Sequence, residues 1–168
     1  RYAADGSTVG TEFRVNTSTS GSQFEPAVTG LANGGWVVSW TDQYGAAANT
    51  YDVFLQQYDA AGRQVDGETL VNSYTPYVQQ QPAITAMADG GFVVAWDTGS
   101  SSVWARRIDA DGAPLGDDIA LSAGPGRHRD PDLAAAGDGF VAAWTSVDPS
   151  GDDGVALRGF SAAGAPLR

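Results

Sequence analysis

The sequence predicts an all-β fold made of three four-stranded antiparallel repeats. One pattern of residues occurs three times: a segment that begins with proline, a glycine-rich turn, and a strand that closes on Trp40, Trp96 or Trp144. Self-similarity with a period of roughly 50 residues is typical of repeat architectures built from small supersecondary units. Of the 20 acidic residues, 17 are Asp and three are Glu, and Gly occurs 22 times. Because Asp and Gly favour turns over helix, this composition indicates many turns and little helix.

Each repeat divides into four strand-like segments, which we name A, B, C and D. Segments A and B are separated by glycine-rich turns such as Asn33-Gly34-Gly35, which supply the positive φ angles that tight hairpins need. The segments are, for A, Pro26–Ala32, Pro82–Ala88 and Pro131–Ala136; for B, Trp36–Trp40, Phe92–Trp96 and Phe140–Trp144; for C, Val53–Asp59, Val103–Asp109 and Val155–Phe160; and for D, Glu12–Asn16, Glu68–Asn72 and Asp118–Ser122.

The side chains of segment B are apolar or small on both faces of the strand. In the first repeat, Trp36, Val38 and Trp40 lie on one face, and Val37 and Ser39 lie on the other. We therefore expect B to be covered on both sides, whereas segment D alternates between apolar and charged residues, as a half-exposed outer strand does. A sheet of this kind is typical of a β-propeller blade, so blades are the preferred interpretation. A β-trefoil, a β-prism and a linear β-array are the alternatives.

The repeats form a single repeat domain. They span about residues 1-56, 57-106 and 107-158, with a partial fourth repeat over 159-168.

The two ends of the sequence match the same part of a repeat. Arg1–Gly6 and Gly159–Gly164 both correspond to Gln57–Gly62, at the end of a C segment. The D segment Glu12–Asn16 could therefore complete the last repeat by strand exchange. Propellers typically have four to eight blades, so three blades should not close alone. We predict a homo-oligomer that closes a ring, or a part of a longer repeat array.

The charge and composition argue against several kinds of partner. The net charge is −11, and all nine basic residues are arginine. A nucleic-acid partner requires a basic surface, so nucleic acid is not expected. No run approaches the roughly 18 apolar residues of a membrane span, so no membrane span is expected. The sequence has no cysteine, which excludes disulfides and thiolate metal sites, and no cofactor is predicted.

Three stretches carry a resemblance to a known class of repeats. They are the strand Gly90–Trp96, the turn Gln57–Gly62 and the strand Gly67–Asn72. Together they resemble tandem β-repeats of large secreted bacterial proteins of the RTX or haemolysin type, or of cadherin-like adhesins. The resemblance implies an extracellular or cell-surface location in bacteria. The glycine- and aspartate-rich nonapeptide that binds calcium in RTX proteins is absent, so calcium binding is not implied.

The loops at one end of the repeats differ most among the copies. Because successive strands run antiparallel, the A–B and C–D turns lie at one end of a sheet, and the B–C and D–A loops lie at the other. Variable loops on a rigid scaffold are typical of binding surfaces, so we expect this face to bind a partner. The B–C loops are Thr41–Asp52, Asp97–Ser102 and Thr145–Gly154, and the D–A loops are Thr17–Glu25, Ser73–Gln81 and Ala123–Asp130.

Two groups of side chains in or beside these loops are candidate ligand-binding residues. Aromatic rings can stack on the apolar face of a sugar. The lone histidine and its flanking arginines, interpreted as loop residues, can contact an anionic or sugar ligand. The aromatic candidates are Tyr44, Tyr51, Tyr77 and Trp104, and the basic candidates are Arg127, His128 and Arg129.

One acidic turn is the candidate metal site. Asp148, Asp152 and Asp153 could supply the hard oxygen ligands that calcium prefers. Their spacing matches neither an EF-hand nor a nonapeptide loop, so a solvated acidic turn is the competing interpretation.

No catalytic residue is predicted. The three copies share no set of acids, bases or metal ligands on the loop face. The sequence therefore predicts a non-enzymatic structural or adhesive module that binds a glycan or a surface protein through its B–C and D–A loops. The alternative is a carbohydrate-binding lectin with sites at the same rim, and a hydrolase is the third hypothesis.

Overall fold

The computed structural model of the chain describes residues 1–43, 50–99 and 102–167. Within these ranges the fold is all-β, and no helix there is long and apolar enough to cross a membrane. The strands are β1 (Gln23–Gly30), β2 (Trp36–Gln43), β3 (Tyr51–Tyr58), β4 (Gln64–Leu70), β5 (Gln80–Ala86), β6 (Phe92–Asp97), β7 (Val103–Ile108), β8 (Ile119–Ala120), β9 (Arg127–Ala136), β10 (Gly139–Val147) and β11 (Asp153–Phe160).

The strands form three antiparallel sheets in chain order. The first sheet is β1-β2-β3-β4, the second is β5-β6-β7-β8, and the third is β9-β10-β11. β5 contacts both β1 and β9, and these three strands form the inner edge of the sheets, while β4 and β8 are outer strands. Segments A, B and C of every repeat are therefore neighbouring strands of one sheet.

A glycine precedes the aromatic residue near the start of each B strand, where no larger residue would fit. A β carbon at Gly91 would lie 2.5 Å from the carbonyl oxygen of Ile108, on the neighbouring strand β7. This close approach explains why the Gly–aromatic pair occurs in all three repeats. The equivalent collisions are those of Gly35 with Tyr58 and of Gly139 with Phe160.

A β-bulge occurs at the same place in each inner strand. Glu25, Gln81 and Asp130 have φ angles of 55°, 55° and 53°, and each is followed by proline. Positive φ is uncommon for non-glycine residues, and the strand register shifts around each of these positions. At the first bulge, the Glu25 carboxylate accepts a hydrogen bond of 2.9 Å from the backbone N–H of Gln81. The first bulge therefore connects the first and second sheets at their inner edge.

The hydrophobic core consists of two layers, one on each face of the second sheet. All six residues of β6 are buried, as expected for a strand covered on both sides. The layer between the first and second sheets contains Leu31, Val37, Val53, Leu55, Val71, Phe92, Val94, Trp96 and Ile108. The layer between the second and third sheets contains Met87, Val93, Ala95, Val103, Ala105, Leu121, Phe140, Ala142, Trp144 and Phe160.

In the first and second sheets, an acidic side chain of the outer D segment binds the first residue after the preceding D segment. The Glu68 carboxylate accepts a hydrogen bond from the backbone N–H of Thr17. Asp118 accepts hydrogen bonds from the backbone N–H and the hydroxyl of Ser73, at 3.0 and 2.6 Å. We call Glu68 and Asp118 the latch acids.

The prediction of four strands in every repeat is wrong for the third sheet. Among the described residues this sheet has three strands, and the predicted D strand Glu12–Asn16 is not a strand. A β-strand needs a neighbour to pair with, and this segment lies beside the first sheet instead of at the edge of β11. The ring of Phe13 packs edge-on against Tyr58, with centroids 5.6 Å apart.

Candidate functional site

The B–C and D–A loops meet at one end of the sheets, which we call the loop rim. The backbone N–H of Gln43 donates to the carbonyl of Ser22, and that of Gln79 donates to the carbonyl of Tyr51, both at 2.8 Å. Tyr51 also forms a β-bridge with Val78. These contacts join the described ends of the first B–C loop to the first and second D–A loops, so these loops lie side by side at the rim.

An aromatic cleft of about 580 Å³ opens at the loop rim. Tyr74 and Tyr77, on the D–A loop between the first two sheets, are 55% and 73% exposed. Trp104 of β7 is half-buried beside them. The cleft therefore combines flat apolar surfaces with polar groups at its edge. Its other lining residues are Ser73, Pro76, Gln79, Trp96, Thr98, Asp117 and Asp118.

Buried hydrogen bonds hold the loop that carries the two tyrosines. The Trp96 indole donates to the Gln79 side-chain oxygen at 3.0 Å, and the Gln79 amide donates to the carbonyl of Pro76 at 3.2 Å. The Asn72 amide donates to the carbonyl of Tyr74 at 3.0 Å. Because both ends of the loop are fixed, the cleft is a preformed feature of the fold.

The two adjacent carboxylates of the cleft differ in their surroundings. Asp118 pairs with Arg106 at 2.9 Å, with side chains 10% and 12% exposed, and it also holds Ser73 as a latch acid. Asp117 is exposed. Asp118 is therefore a positioning residue, whereas Asp117 lines the cleft with an exposed side chain.

The tryptophan of the cleft is specific to the second sheet. Trp104 lies directly opposite Trp96, in the register that pairs Trp40 with Phe54 and Trp144 with Ala156. The B-strand tryptophan is thus common to all three sheets, and its partner on the C strand changes each time. The repeats therefore do not carry three equal copies of this cleft.

A smaller polar cavity of about 230 Å³ lies nearby at the rim. Arg129 forms ion pairs with Asp130 at 2.7 Å and with Asp153 at 3.2 Å. The cavity therefore presents both signs of charge. It is lined by Gln80, Gln81, Asp97, Gly99, Arg127, His128, Arg129 and Asp130.

Two carboxylates at the loop-rim ends of β6 and β3 have raised pKa values. Burial raises the pKa of Asp97 above its ordinary value, and the charge of Asp130 adds to the increase. Burial also raises the pKa of Asp52, with a smaller contribution from Asp42, while a hydrogen bond from Asn72 opposes the shift. A buried carboxyl group with a raised pKa that lines a cavity is a candidate for acid–base chemistry, and Asp97 meets both conditions.

The structure places the predicted ligand-binding residues in three locations. Tyr77 and Trp104 line the aromatic cleft, and the basic candidates line the polar cavity. Tyr51 lies in neither, because its ring packs edge-on against Phe24 at 5.4 Å. Tyr44 lies outside the described residues. The structure thus brings five of the seven predicted residues into two neighbouring cavities.

The interpretation of His128 as a loop residue is wrong. β9 begins at Arg127, so His128 lies within a strand and is 6% exposed. Its ring packs edge-on against Trp144, with centroids 6.4 Å apart. It occupies the position of Gln79 in the preceding repeat, where the side chain points toward the B-strand tryptophan. Neither ring nitrogen of His128 has a hydrogen-bond partner among the described residues.

The predicted acidic turn uses its carboxylates for internal contacts. Asp148 accepts hydrogen bonds from the backbone of Ser150, Gly151 and Asp152 at 2.8–3.1 Å. Hydrogen bonds from Ser150 lower the pKa of Asp148, and Asp153 pairs with Arg129. In the part of the chain that the structure describes, no three acidic or histidine side chains are grouped to hold a metal ion.

The sequence patterns did not identify Tyr74, Asp97, Asp117 or Asp118 as site residues. Asp118 begins a D segment and Asp97 follows a B strand, so both positions were visible in the alignment. The aligned repeats do not show that Asp97 is buried or that the 73–79 loop folds over Trp96. One sequence feature could have indicated Tyr74. It is aromatic, whereas the first and third repeats have Ser18 and Gly124 at the corresponding position.

No family model and no curated protein matches the chain. Solved structures do share its fold. Hadza microbial sialidase Hz136 superposes with a TM-score of 0.64 at 12% identity, over 87% of this chain and 38% of that one. An α-L-arabinofuranosidase from Lactobacillus brevis gives 0.58 at 11% identity, over 92% and 57%. GH43B of the Bacteroides ovatus xyloglucan PUL gives 0.57 at 16% identity, over 88% and 28%.

These structures are of the β-propeller type, and this chain spans between 28% and 57% of their length. They correct one prediction. The sequence analysis predicted a non-enzymatic module, but the solved structures that share the fold are carbohydrate-active enzyme domains. The physical reason for the error is that the prediction required acids shared by all repeats. A site formed by different residues of different sheets produces no repeated pattern of acidic residues in the sequence.

Proposed function

We propose that this chain binds carbohydrate at the aromatic cleft. The observation that carries the proposal is the grouping of Trp104, Tyr74 and Tyr77 with the carboxylate of Asp117 in one preformed cavity. A sugar ring has an apolar face of C–H groups and an edge of hydroxyls. The aromatic rings suit the face, and Asp117 suits the hydroxyls.

The repeats are blades of a propeller in this proposal. The burial of the second sheet on both faces supports blades over a trefoil or a prism. The likeness to propeller-type enzyme domains supports the same arrangement. The chain then acts as an adhesive part of a secreted or cell-surface bacterial protein, which is the setting that the resemblance to RTX-type and adhesin repeats implies. Its repeats belong to a ring or to a longer array.

A glycan array followed by calorimetric titration tests the binding function. We expect binding to a subset of glycans, with Trp104→Ala about tenfold weaker, which corresponds to about 1.4 kcal/mol. Tyr2→Ala is the matched control, because Tyr2 is 77% exposed and lies outside the cleft. Repeating the titration with EDTA tests whether calcium contributes. Unchanged binding by Trp104→Ala would exclude the cleft as the site.

Glycoside hydrolysis at the polar cavity is a second candidate function. The observation that favours it is the buried carboxyl of Asp97, whose pKa is raised, beside Asp130. A pair of carboxyl groups is the usual equipment for cleaving a glycosidic bond. Release of nitrophenol from a panel of nitrophenyl glycosides tests it, with Asp97→Asn expected to abolish turnover. A panel without turnover by the unaltered chain argues against this function and leaves the binding proposal intact.

A further inference from the structure

The outer face of the third sheet carries exposed apolar side chains. Val155 and Leu157 on β11 are 87% and 68% exposed. In the other two sheets the corresponding side chains are at most 2% exposed, because the following sheet covers them. Those side chains are Val53, Leu55, Val103 and Ala105. The third sheet thus has the face that a following sheet requires, with no sheet on it among the described residues.

The outer face of the first sheet is the complementary surface. Trp36, Val38 and Trp40 occupy the positions through which the second and third sheets contact the preceding sheet. A cavity of about 890 Å³ lies over this face, and Val28 beside it is 66% exposed. The exposed faces at the two ends of the stack therefore match the two faces that meet where neighbouring sheets pack together.

The third sheet also lacks the outer strand that completes the other two. In the alignment of the repeats, Val15 of the segment Glu12–Asn16 is the residue whose N–H should bond to the carbonyl of Val155. This segment already lies against the first sheet, through the contact of Phe13 with Tyr58. The equivalent bonds in the complete sheets run from Val71 N–H to Val53 O at 2.8 Å and from Leu121 N–H to Val103 O at 2.9 Å.

The latch acids give an independent sign of the same arrangement. Glu68 and Asp118 each bind the backbone N–H of the first residue after the preceding D segment. Glu12 occupies the latch position of its own segment and is exposed. The same pattern predicts that the Glu12 carboxylate accepts a hydrogen bond from the backbone N–H of Ala123, the first residue after the D segment of the second sheet.

We propose that the two end faces dock a second copy of this chain, head to tail. The segment Glu12–Asn16 of one copy adds to the edge of β11 in the second copy. The outer face of that third sheet then covers Trp36 and Val38 of the first copy. When both copies make this contact, two heterologous interfaces close a ring of six sheets.

Docking requires one terminal segment to move. Arg1 donates a hydrogen bond to the carbonyl of Ala60 at 2.9 Å, just as Gln57 donates to the carbonyl of Ala110 at 3.0 Å. Residues 1–10 therefore occupy the place that residues 159–168 of the second copy would take. One of these two segments is displaced on docking, so the association is weaker than the buried face alone would give and depends on concentration.

Sedimentation of the full chain over a range of concentrations tests the proposal. We expect the mass to rise from 17.3 kDa to twice that value, and Leu157→Asp to remove the rise. Leu115→Asp is the matched control, because Leu115 is 46% exposed and its backbone N–H is bonded to Arg107 of β7, in the second sheet. The register that pairs Leu55 with Thr69 and Ala105 with Ile119 places Phe13 opposite Leu157. Phe13→Arg combined with Leu157→Asp should therefore recover the association.

Three results would overturn the proposal. The first is a chain that stays monomeric at every concentration, and the second is a Leu157→Asp variant that associates like the unaltered chain. The third is a Leu115→Asp variant that loses association to the same extent. Failure of the double variant to recover would overturn the pairing of residues 12–16 with β11. Circular dichroism of each variant verifies that the sheets remain folded.

Discussion

Gln79 accepts a hydrogen bond from the indole of Trp96 at 3.0 Å, and both side chains are buried. The third sheet has the same tryptophan position without this bond. There His128 replaces the glutamine, and Trp144 Nε1 has no hydrogen-bond partner among the described residues. A buried donor without a partner costs free energy, so the third sheet carries a local defect that the second sheet avoids.

Replacing His128 with glutamine should repair this defect. We expect His128→Gln to raise the free energy of unfolding by about 1 kcal/mol, because one buried hydrogen bond is gained. Urea unfolding monitored by tryptophan fluorescence measures it. The reciprocal variant Gln79→His should be destabilised by a similar amount. A lower stability of His128→Gln would show that the edge contact with Trp144 outweighs the missing bond.

The glycine before each B-strand aromatic should tolerate no β carbon. Gly91→Ala places one 2.5 Å from the carbonyl of Ile108, so the two strands must separate locally. We expect a loss of about 1–3 kcal/mol in the free energy of unfolding, as for other overpacked sites. Gly67→Ala is the control, since nothing lies within 4 Å of its added carbon. Equal stability of the two variants would contradict the close approach of β6 and β7.

The raised pKa of Asp97 predicts a pH dependence of stability. The folded state retains a proton that the unfolded state has released, so stability decreases as the pH rises from the ordinary aspartate pKa of 3.8 through the raised pKa of Asp97. Urea unfolding at a series of pH values should show this decrease, and Asp97→Asn should reduce its slope. Asp52 contributes in the same direction, so part of the slope will remain. An identical slope for Asp97→Asn would contradict the assignment, and Asp111→Asn in an exposed turn is the control.

Substitution of one carboxylate of the cleft should lower stability, and substitution of its neighbour should weaken binding. Asp118→Ala leaves the largely buried Arg106 without its ion-pair partner and releases Ser73, so we expect a loss of about 3 kcal/mol in unfolding free energy. Asp117→Ala should leave stability unchanged and weaken glycan binding. Urea unfolding and titration of both variants measure the two effects. A large loss of stability in Asp117→Ala would contradict the division of roles.

The sequence predicted the interior of the sheets better than the loop rim. The burial of β6 on both faces could be inferred because apolar and small residues occupy every position from Phe92 to Trp96. The side chains of the loops have no such periodicity, and their positions depend on tertiary hydrogen bonds such as that between Asn72 and Tyr74. His128 was misplaced for the same reason: β9 begins before its proline, and only pairing with β10 extends it to Arg127.

The outer strand of the third sheet could not be predicted from sequence for a different reason. The pattern at Glu12–Asn16 is that of a D segment, but a strand forms only beside a partner edge. Local sequence specifies the propensity of such a segment, and the presence of a neighbour decides whether the strand forms.

The bulges at Glu25, Gln81 and Asp130 show how one backbone can carry three different side chains at the same junction. Because each sheet contacts only the sheets beside it, stability accumulates sheet by sheet. An ancestral gene could therefore lengthen by whole-unit duplication, and each new unit could later change its inner and rim side chains without refolding its neighbours. In this protein, the number of sheets can therefore change independently of the side chains that each sheet presents.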